Sequence, residues 1–458
     1  MGNLKIKNKI IILIILLSLA LYLIKTDKPK GEKHIEKHTV EEPKVEDETK
    51  KVFTKEDPEY WIEKLENKDT VLMDREKIEE YNNKSFSKVD VLIDLWEHRP
   101  NIEKKDLISL VNSISTIPKE ERYNKDGQIM DKNFYNLLLE NLNLDSIKDT
   151  NTIQYGITVE RTKFRTFPTY EPSYRKQGDT EFDRFQETGV YPLEPLIVYM
   201  ESEDGEWYFA RMYNYFGWIP KNKILLGEKE EIFKYINHEK FLVVIDRQIT
   251  ILDKLYDMGI RIPLKEEKEN SYIILIPEKG EDNKFNLGEK EIPKSKGLNL
   301  GYLPYTKENI ILQAFKFKDE AYGWGGLNNS RDCSAFIMDI YRSFGLKLPR
   351  NTQDQGPKSL GRGYDLKHTG TLEEKLEKLE QIPPVTVLYM PGHTMLYLGR
   401  DQGEHYIIHQ FAGYYEENHG NLEYIPMMKT AITPITIKTS SGKTYLENVY
   451  LGKEFIIE

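Results

Sequence analysis

Tyr322-Gly-Trp-Gly-Gly-Leu-Asn-Asn-Ser-Arg-Asp-Cys333-Ser-Ala-Phe336 runs a glycine-rich loop straight into an amphipathic helical pattern. Cys333, Ile337 and Tyr341 form one i, i+4 row, and Phe336, Ile340 and Phe344 form another. Gly345 suits the left-handed stop after the last turn. Ser330 or Asp332 can cap the start. Cys333 then lies in the first turn, where the helix dipole and unpaired N–H groups favour the thiolate, the form that attacks carbonyls. The adjacent Asp332 opposes this, so either a cation offsets it or it faces a substrate. Cys333 is the only cysteine in 458 residues, which forbids an intrachain disulfide. A lone cysteine can equally be a small buried hydrophobe. The histidines downstream favour the nucleophile.

Working outward, a strand-like run starts at His393-Thr-Met-Leu-Tyr-Leu-Gly399. After Arg400-Asp-Gln-Gly403 comes a second, Glu404-His-Tyr-Ile-Ile-His-Gln410. In an antiparallel hairpin, a three- or five-residue loop centred on Asp401 sets His393 directly opposite His409, close enough for one imidazole to orient the other. A four-residue loop would put the two rings on opposite faces. The His405–His409 spacing is a zinc motif only on a helix. The intervening Tyr-Ile-Ile favours a strand, where four residues span about 13 Å. No metal and no cofactor is therefore expected. His34 and His38 sit in a solvated charge run and are not read as ligands.

The last unit, 303–458, opens with a helix over 306–317, then the glycine loop and cysteine helix, a polar stretch at 351–380, and strands to the end. Upstream, Thr152–Val159, Leu196–Met200, Trp207–Met212 and Tyr215–Ile219 are short strand-like runs with a turn at Glu203-Asp-Gly205, the pattern of a small barrel over 151–228. A second strand-rich stretch, clearest at Tyr272-Ile-Ile-Leu-Ile-Pro277, makes another such barrel over 229–302. Residues 57–150 read as helical: Trp61, Ile62 and Leu65 share a face, Val91-Leu-Ile-Asp-Leu-Trp96 is apolar, and Phe134, Leu137, Leu138 and Leu142 keep helical spacing.

Residues 26–56 are Lys, Glu, His, Thr and Pro with almost no large apolar side chains, the composition of a disordered tether. Before it, Lys5, Lys7 and Lys9 precede an apolar run from Ile10 to Ile24. Those flanks suit a signal anchor over 1–25, with a cleaved signal peptide as the alternative, placing the rest outside the cell at the bacterial surface. The net charge is −10 and no basic stripe is interleaved with aromatics, which argues against nucleic acid as a partner.

Tyr322-Gly-Trp-Gly-Gly326, Asp332-Cys-Ser334, Gly345-Leu-Lys-Leu-Pro-Arg350 with Gln353, Gly392-His393 with Leu396-Tyr-Leu-Gly399, and His409 resemble the NlpC family of bacterial cysteine peptidases. The specific motifs cover roughly 305–413. Upstream, Phe182-Asp-Arg-Phe-Gln186, Pro195-Leu-Ile-Val-Tyr199, Gly205-Glu-Trp-Tyr208 and Gly217-Trp-Ile-Pro220 resemble SH3-like domains of cell-wall enzymes. The resemblance implies an α+β architecture: a papain-like catalytic domain behind one or two SH3-like barrels and a helical region. It further implies cleavage of a γ-D-glutamyl-L-diamino-acid amide in peptidoglycan stem peptides. In that frame Cys333 is the nucleophile, His393 the base and His409 its orienting residue. Tyr322 would support the oxyanion, and Asp332 and Ser334 would receive the substrate's free amino terminus. Trp207, Tyr208 and Trp218 are candidates for an exposed cleft wall or, alternatively, core. One departure from the family pattern is the link Pro383-Pro-Val-Thr-Val-Leu388 before Met390-Pro391-Gly392, in place of an aspartate-leucine approach to the base strand. A wall-binding protein without catalysis and an acyl transferase using the same site are the competing readings.

Overall fold

The computed structural model describes residues 52–280, 284–367 and 370–457. The expected signal anchor and most of the tether lie outside them. No helix among the described residues is long and apolar enough to cross a membrane.

The first region contains α1 (Pro58–Ile62), α2 (Arg75–Lys88), α3 (Lys104–Ile114) and α4 (Lys132–Asn141). Asp74 and Asp131 cap α2 and α4 by accepting the N–H of Lys77 and Phe134. Val91–Trp96, expected to be helical, is irregular. There the Asp94 carboxylate accepts the Trp96 N–H, a local turn that competes with a helix, and Trp96 is 42% exposed. Trp61, by contrast, is fully buried against the last region of the chain. The charged segment does not stay solvated up to residue 56. Lys55 Nζ lies 2.8 Å from Tyr406 Oη and 2.9 Å from Asp401, and Lys64 and Tyr60 also reach Asp401.

Seven strands follow: β1 (Gln154–Thr158), β2 (Thr162–Arg165), β3 (Gln186–Val190), β4 (Pro195–Glu201), β5 (Trp207–Met212), β6 (Tyr215–Pro220) and β7 (Ile224–Gly227). They form an antiparallel sheet in the order β3-β2-β6-β5-β4-β1-β7. Trp207, Tyr208 and Trp218 are all buried, so they are core and not cleft wall.

After α5 (Lys229–Ile236) come β8 (Phe241–Val244), β9 (Gln248–Ile251), β10 (Lys254–Asp257), β11 (Arg261–Glu267), β12 (Ser271–Lys279), β13 (Phe285–Pro293) and β14 (Leu298–Leu300). Five of these pair as β13-β12-β11-β8-β14, and β9–β10 is a separate hairpin.

The last region begins with α6 (Lys307–Phe315), capped by Thr306. The cysteine helix is α7 (Cys333–Arg342), and Gly345 after it has φ 91°. The stretch expected to be merely polar carries α8 (Thr352–Gln355), β15 (Arg362–Asp365) and α9 (Leu372–Glu380). A Thr371/Glu374 capping box starts α9. The chain then builds β16 (Val387–Met390), β17 (His393–Asp401), β18 (Glu404–Asn418), β19 (Asn421–Pro434), α10 (Tyr445–Asn448) and β20 (Leu451–Glu454). The sheet order is β15-β20-β16-β17-β18-β19. Phe336, Ile337 and Ile340 of α7 share a core with Leu396, Leu398 and Ile408 of β17 and β18. That packing sets the tip of α7 beside the start of β17.

A buried charge cluster ties the three regions together directly behind the cysteine. Arg331, fully buried, reaches Asp257 at 2.8 Å, Glu320 at 2.6 Å and Asp339 at 2.5 Å. Tyr191 also donates to Asp339, and Arg161 pairs with Asp257. Such a cluster fixes geometry, because removing one member strands a charge away from water.

Candidate active site

Asp332, rather than Ser330, caps α7: its Oδ1 accepts the Ala335 N–H at 3.0 Å. Cys333 is therefore the first helical residue, where its own backbone N–H has no intrahelical partner. The cation that offsets Asp332 is Arg350. Its guanidinium grips both carboxylate oxygens, at 3.0 and 2.6 Å, and also donates to Ser334 Oγ and Thr188 Oγ1, each at 2.6 Å. Arg350 holds the Asp332 carboxyl below its usual range against the opposing effect of burial. With Ser334 and the N–H groups of Ala335 and Gly325 also donating to it, Asp332 has its acceptor positions filled by the protein.

Sequence reasoning expected the helix tip to favour the thiolate. Burial works against that. Desolvation first, then Asp332, push the Cys333 thiol up to about 11. Sγ lies 3.7 Å from Thr352 Oγ1, and the Thr394 N–H points at it. No hydrogen bond joins Sγ to His393 among the described residues.

His393 and His409 are brought together. His393 Nε2 lies 2.9 Å from His409 Nδ1, with ring centroids 5.1 Å apart. The register differs from the expected one. Gln402 and Gly403, both at positive φ, make a two-residue turn, and a bulge lies between Tyr397 and Gly399. Leu396 consequently faces Ile408, and continuing that register leaves His409 diagonal to His393 rather than directly across. Diagonal neighbours share a face, so the rings still meet. Phe411 stacks on His409 at 3.8 Å, and the Tyr445 ring meets both imidazoles edge-on. Burial pushes His393 down to about 4 and His409 well below the usual histidine range. His405 is occupied by the hydroxyl of Tyr397 on the neighbouring strand, at 2.6 Å. Among the described residues, no cluster of three metal-ligating side chains forms.

Tyr322 is half-buried, and its charge neighbours include Cys333 and Asp332. Desolvation, then these negative neighbours, hold its phenol well above the usual range, so it stays a donor. Its ring lies beside that of Phe182, from the loop before β3. The glycine loop packs closely on β3, where a Cβ on Gly326 would stand 2.7 Å from the Gly189 nitrogen. Gln186 Nε2 donates to the Gly325 carbonyl at 2.7 Å, and Arg161 donates to that of Gly326 at 3.1 Å.

Sequence reasoning quoted Arg350 as part of the family motif without giving it a role, and did not single out Thr352 or Gln355. Gln355, not the exposed Gln353, is the buried amide that holds the carbonyls of Ser334 and Pro349. Their signal was the run Pro349-Arg-Asn-Thr-Gln-Asp-Gln355, polar residues closely spaced after an apolar helix end. Glu187 was also missed. It takes hydrogen bonds from Thr166 at 2.7 Å and Tyr215 at 2.5 Å, next in sequence to the Thr188 that holds Arg350.

Residues 319–421 match the NlpC/P60 family, and residues 168–220 match the SH3 domain (SH3b1 type). A gamma-D-glutamyl-L-lysine dipeptidyl-peptidase of Bacillus subtilis (strain 168) is 27% identical over 114 residues, which is 24% of this chain and 38% of that protein. Its namesake in Bacillus cereus (strain ATCC 10987 / NRS 248) is 23% identical over 238 residues, 49% of this chain and 60% of that protein. The chain thus spans less than two thirds of either relative. Among solved structures, an NlpC/P60 endopeptidase from Photobacterium damselae subsp. piscicida shares the fold. Its TM-score is 0.67 at 20% identity, covering 82% of this chain and 90% of that one. The chain therefore carries a domain of the NlpC/P60 family, whose members are cysteine peptidases, behind an SH3 domain of the SH3b1 type.

Proposed function

We propose that this protein hydrolyses the γ-D-glutamyl amide to a diamino acid in peptidoglycan stem peptides, through an acyl-enzyme on Cys333. The observation that carries the reading is the His393 Nε2···His409 Nδ1 contact at 2.9 Å. It commits the Nε2 side of His393 to its partner and leaves Nδ1 for the thiol.

With the thiol raised to about 11 and His393 lowered to about 4, both groups rest neutral at pH 7. Proton transfer then accompanies attack instead of preceding it. Sγ attacks the amide carbon as its proton moves to His393 Nδ1, which passes it to the leaving amine. The Cys333 N–H and the Tyr322 phenol stand ready for the oxyanion. Water, activated by the same imidazole, releases the acyl group. A bond between Sγ and the imidazole is not needed at rest, since such contacts tighten when substrate arrives.

The family resemblance gives Asp332 and Ser334 to the substrate's amino terminus. Asp332's saturation by Arg350 and backbone donors favours a framing role for this pair, with Glu187 as the carboxylate that takes the ammonium. The apolar segment 10–24 would hold the protein at the outer face of the membrane.

The test is incubation of the full chain with a stem peptide bearing a free amino terminus, followed by mass spectrometry. The reading expects cleavage after D-glutamate by the native protein and none by Cys333→Ala. Equal behaviour of the two overturns it. A product joined to added amine in place of water would identify transfer instead of hydrolysis.

A further inference from the structure

His409 is itself held at its far nitrogen. Thr433 Oγ1 lies 3.0 Å from His409 Nε2, and both side chains are buried. His393, His409 and Thr433 stand on three adjacent strands, β17, β18 and β19. Each is one diagonal step from the next, because Ile407 pairs with Thr433 and His409 pairs with Ala431. Phe411 covers one face of the His409 ring, and Tyr445 lies edge-on to it. A buried N–H that loses its acceptor in such a place cannot turn to water.

We infer that Thr433 is a positioning residue that fixes the tautomer of the whole row. With Thr433 accepting, His409 carries its proton on Nε2 and offers a lone pair at Nδ1. That lone pair accepts Nε2–H of His393, so the lone pair of His393 sits on Nδ1, the nitrogen left for the thiol. If Thr433 cannot accept, the burial cost of an unsatisfied Nε2–H favours the other tautomer of His409. Its Nδ1–H then points at His393 Nε2, and His393 must hold its proton on Nδ1. In that state it cannot receive a proton from sulfur. A base held in the wrong tautomer loses rate while its geometry stays intact.

The inference rests on the proposed roles of His393 and His409 for its kinetic consequence, but not for its spectroscopic one. Full-length protein with 15N-labelled histidine, in the Cys333→Ala background, reports the proton position on each ring by long-range 1H–15N correlation, with His409 assigned by loss of its signals in His409→Gln. The expected result is an Nε2–H tautomer for His409 and for His393. Thr433→Val should convert both to Nδ1–H, and Thr433→Ser should keep the native pattern. In the Cys333 protein, Thr433→Val should lower kcat by about ten- to a hundredfold with KM little changed, and Thr433→Ser should recover most of it. An Nδ1–H tautomer in the unsubstituted row, or one unmoved by Thr433→Val, overturns the inference. The first of these does not depend on whether Thr433→Val folds. Failure to cleave any stem peptide would sink the peptidase reading while leaving the tautomer result legible.

Discussion

Replacing Arg350 by Met leaves a carboxylate in the protein interior without its cation. The side chains of Arg350 and Asp332 are 3% and 13% exposed, so solvent screens the pair little. Removing one partner from such a pair costs about 3–5 kcal/mol, most of it the stranded charge. The second substitution separates this from lost packing. Asp332→Asn on top of Arg350→Met removes the stranded charge and should return about 1–3 kcal/mol, a strongly non-additive cycle. The pH dependence has a definite sign. Asp332 is held below its unfolded range, so its contribution is present above about pH 4 and is lost as pH falls through its depressed folded value. In Arg350→Met desolvation is left to raise the carboxyl, so the sign reverses: the cost of the substitution should shrink as pH falls and the stranded carboxylate takes up a proton. Urea denaturation of the four proteins of the cycle, at pH 7 and pH 4, measures all of this. A single substitution costing under about 1 kcal/mol, or additive effects, would refute the argument that Arg350 neutralises Asp332.

The buried imidazoles make a related prediction. His393, near 4 in the fold, and His409, also lowered, stay neutral while the unfolded chain takes up protons below about 6.5, so stability should fall as pH drops from 6.5 towards 4, at about 1.4 kcal/mol per pH unit for each proton; urea midpoints flat across that range would contradict it. The acid limb of kcat/KM should fall near pH 4, not 6.5. Arg331→Met takes the buried cation from Glu320 and Asp339 and leaves Asp257 to Arg161 alone, and should cost about 3–5 kcal/mol, read by the unfolding midpoint. Gly326→Ala should cost about 1–3 kcal/mol, since φ is +83° and a Cβ would stand 2.7 Å from the Gly189 nitrogen; an unchanged midpoint would show that the loop does not seat on β3 as described.

The cysteine helix was legible because its apolar rows, its cap and Gly345 all agree. Four strands of the seven-stranded sheet, β1, β4, β5 and β6, were legible as short apolar runs, while β2, β3 and β7 were not read. The histidine contact was legible, but not its register. A two-residue turn and a bulge act together there, and neither changes the hydrophobic pattern that sequence reasoning uses. Val91–Trp96 misled because Asp94 settles a local turn that outweighs an apolar run. Arg350 and Arg331 were invisible as partners. An ion pair between residues distant in sequence leaves no periodic trace, and the carboxylates of Asp257, Glu320 and Asp339 look like surface charge until the regions dock. For the thiol, the dipole at the helix tip is local and readable, whereas the desolvation acting against it comes from the assembled site.

Intact-protein mass spectrometry on the full chain, quenched in acid during turnover of a stem peptide, tests the central claim most directly. The account predicts a mass gain equal to the acyl fragment ending at D-glutamate, mapped to the peptide bearing Cys333 and absent from Cys333→Ala. Turnover by Cys333→Ala at the native rate, or an adduct on any other residue, would contradict it.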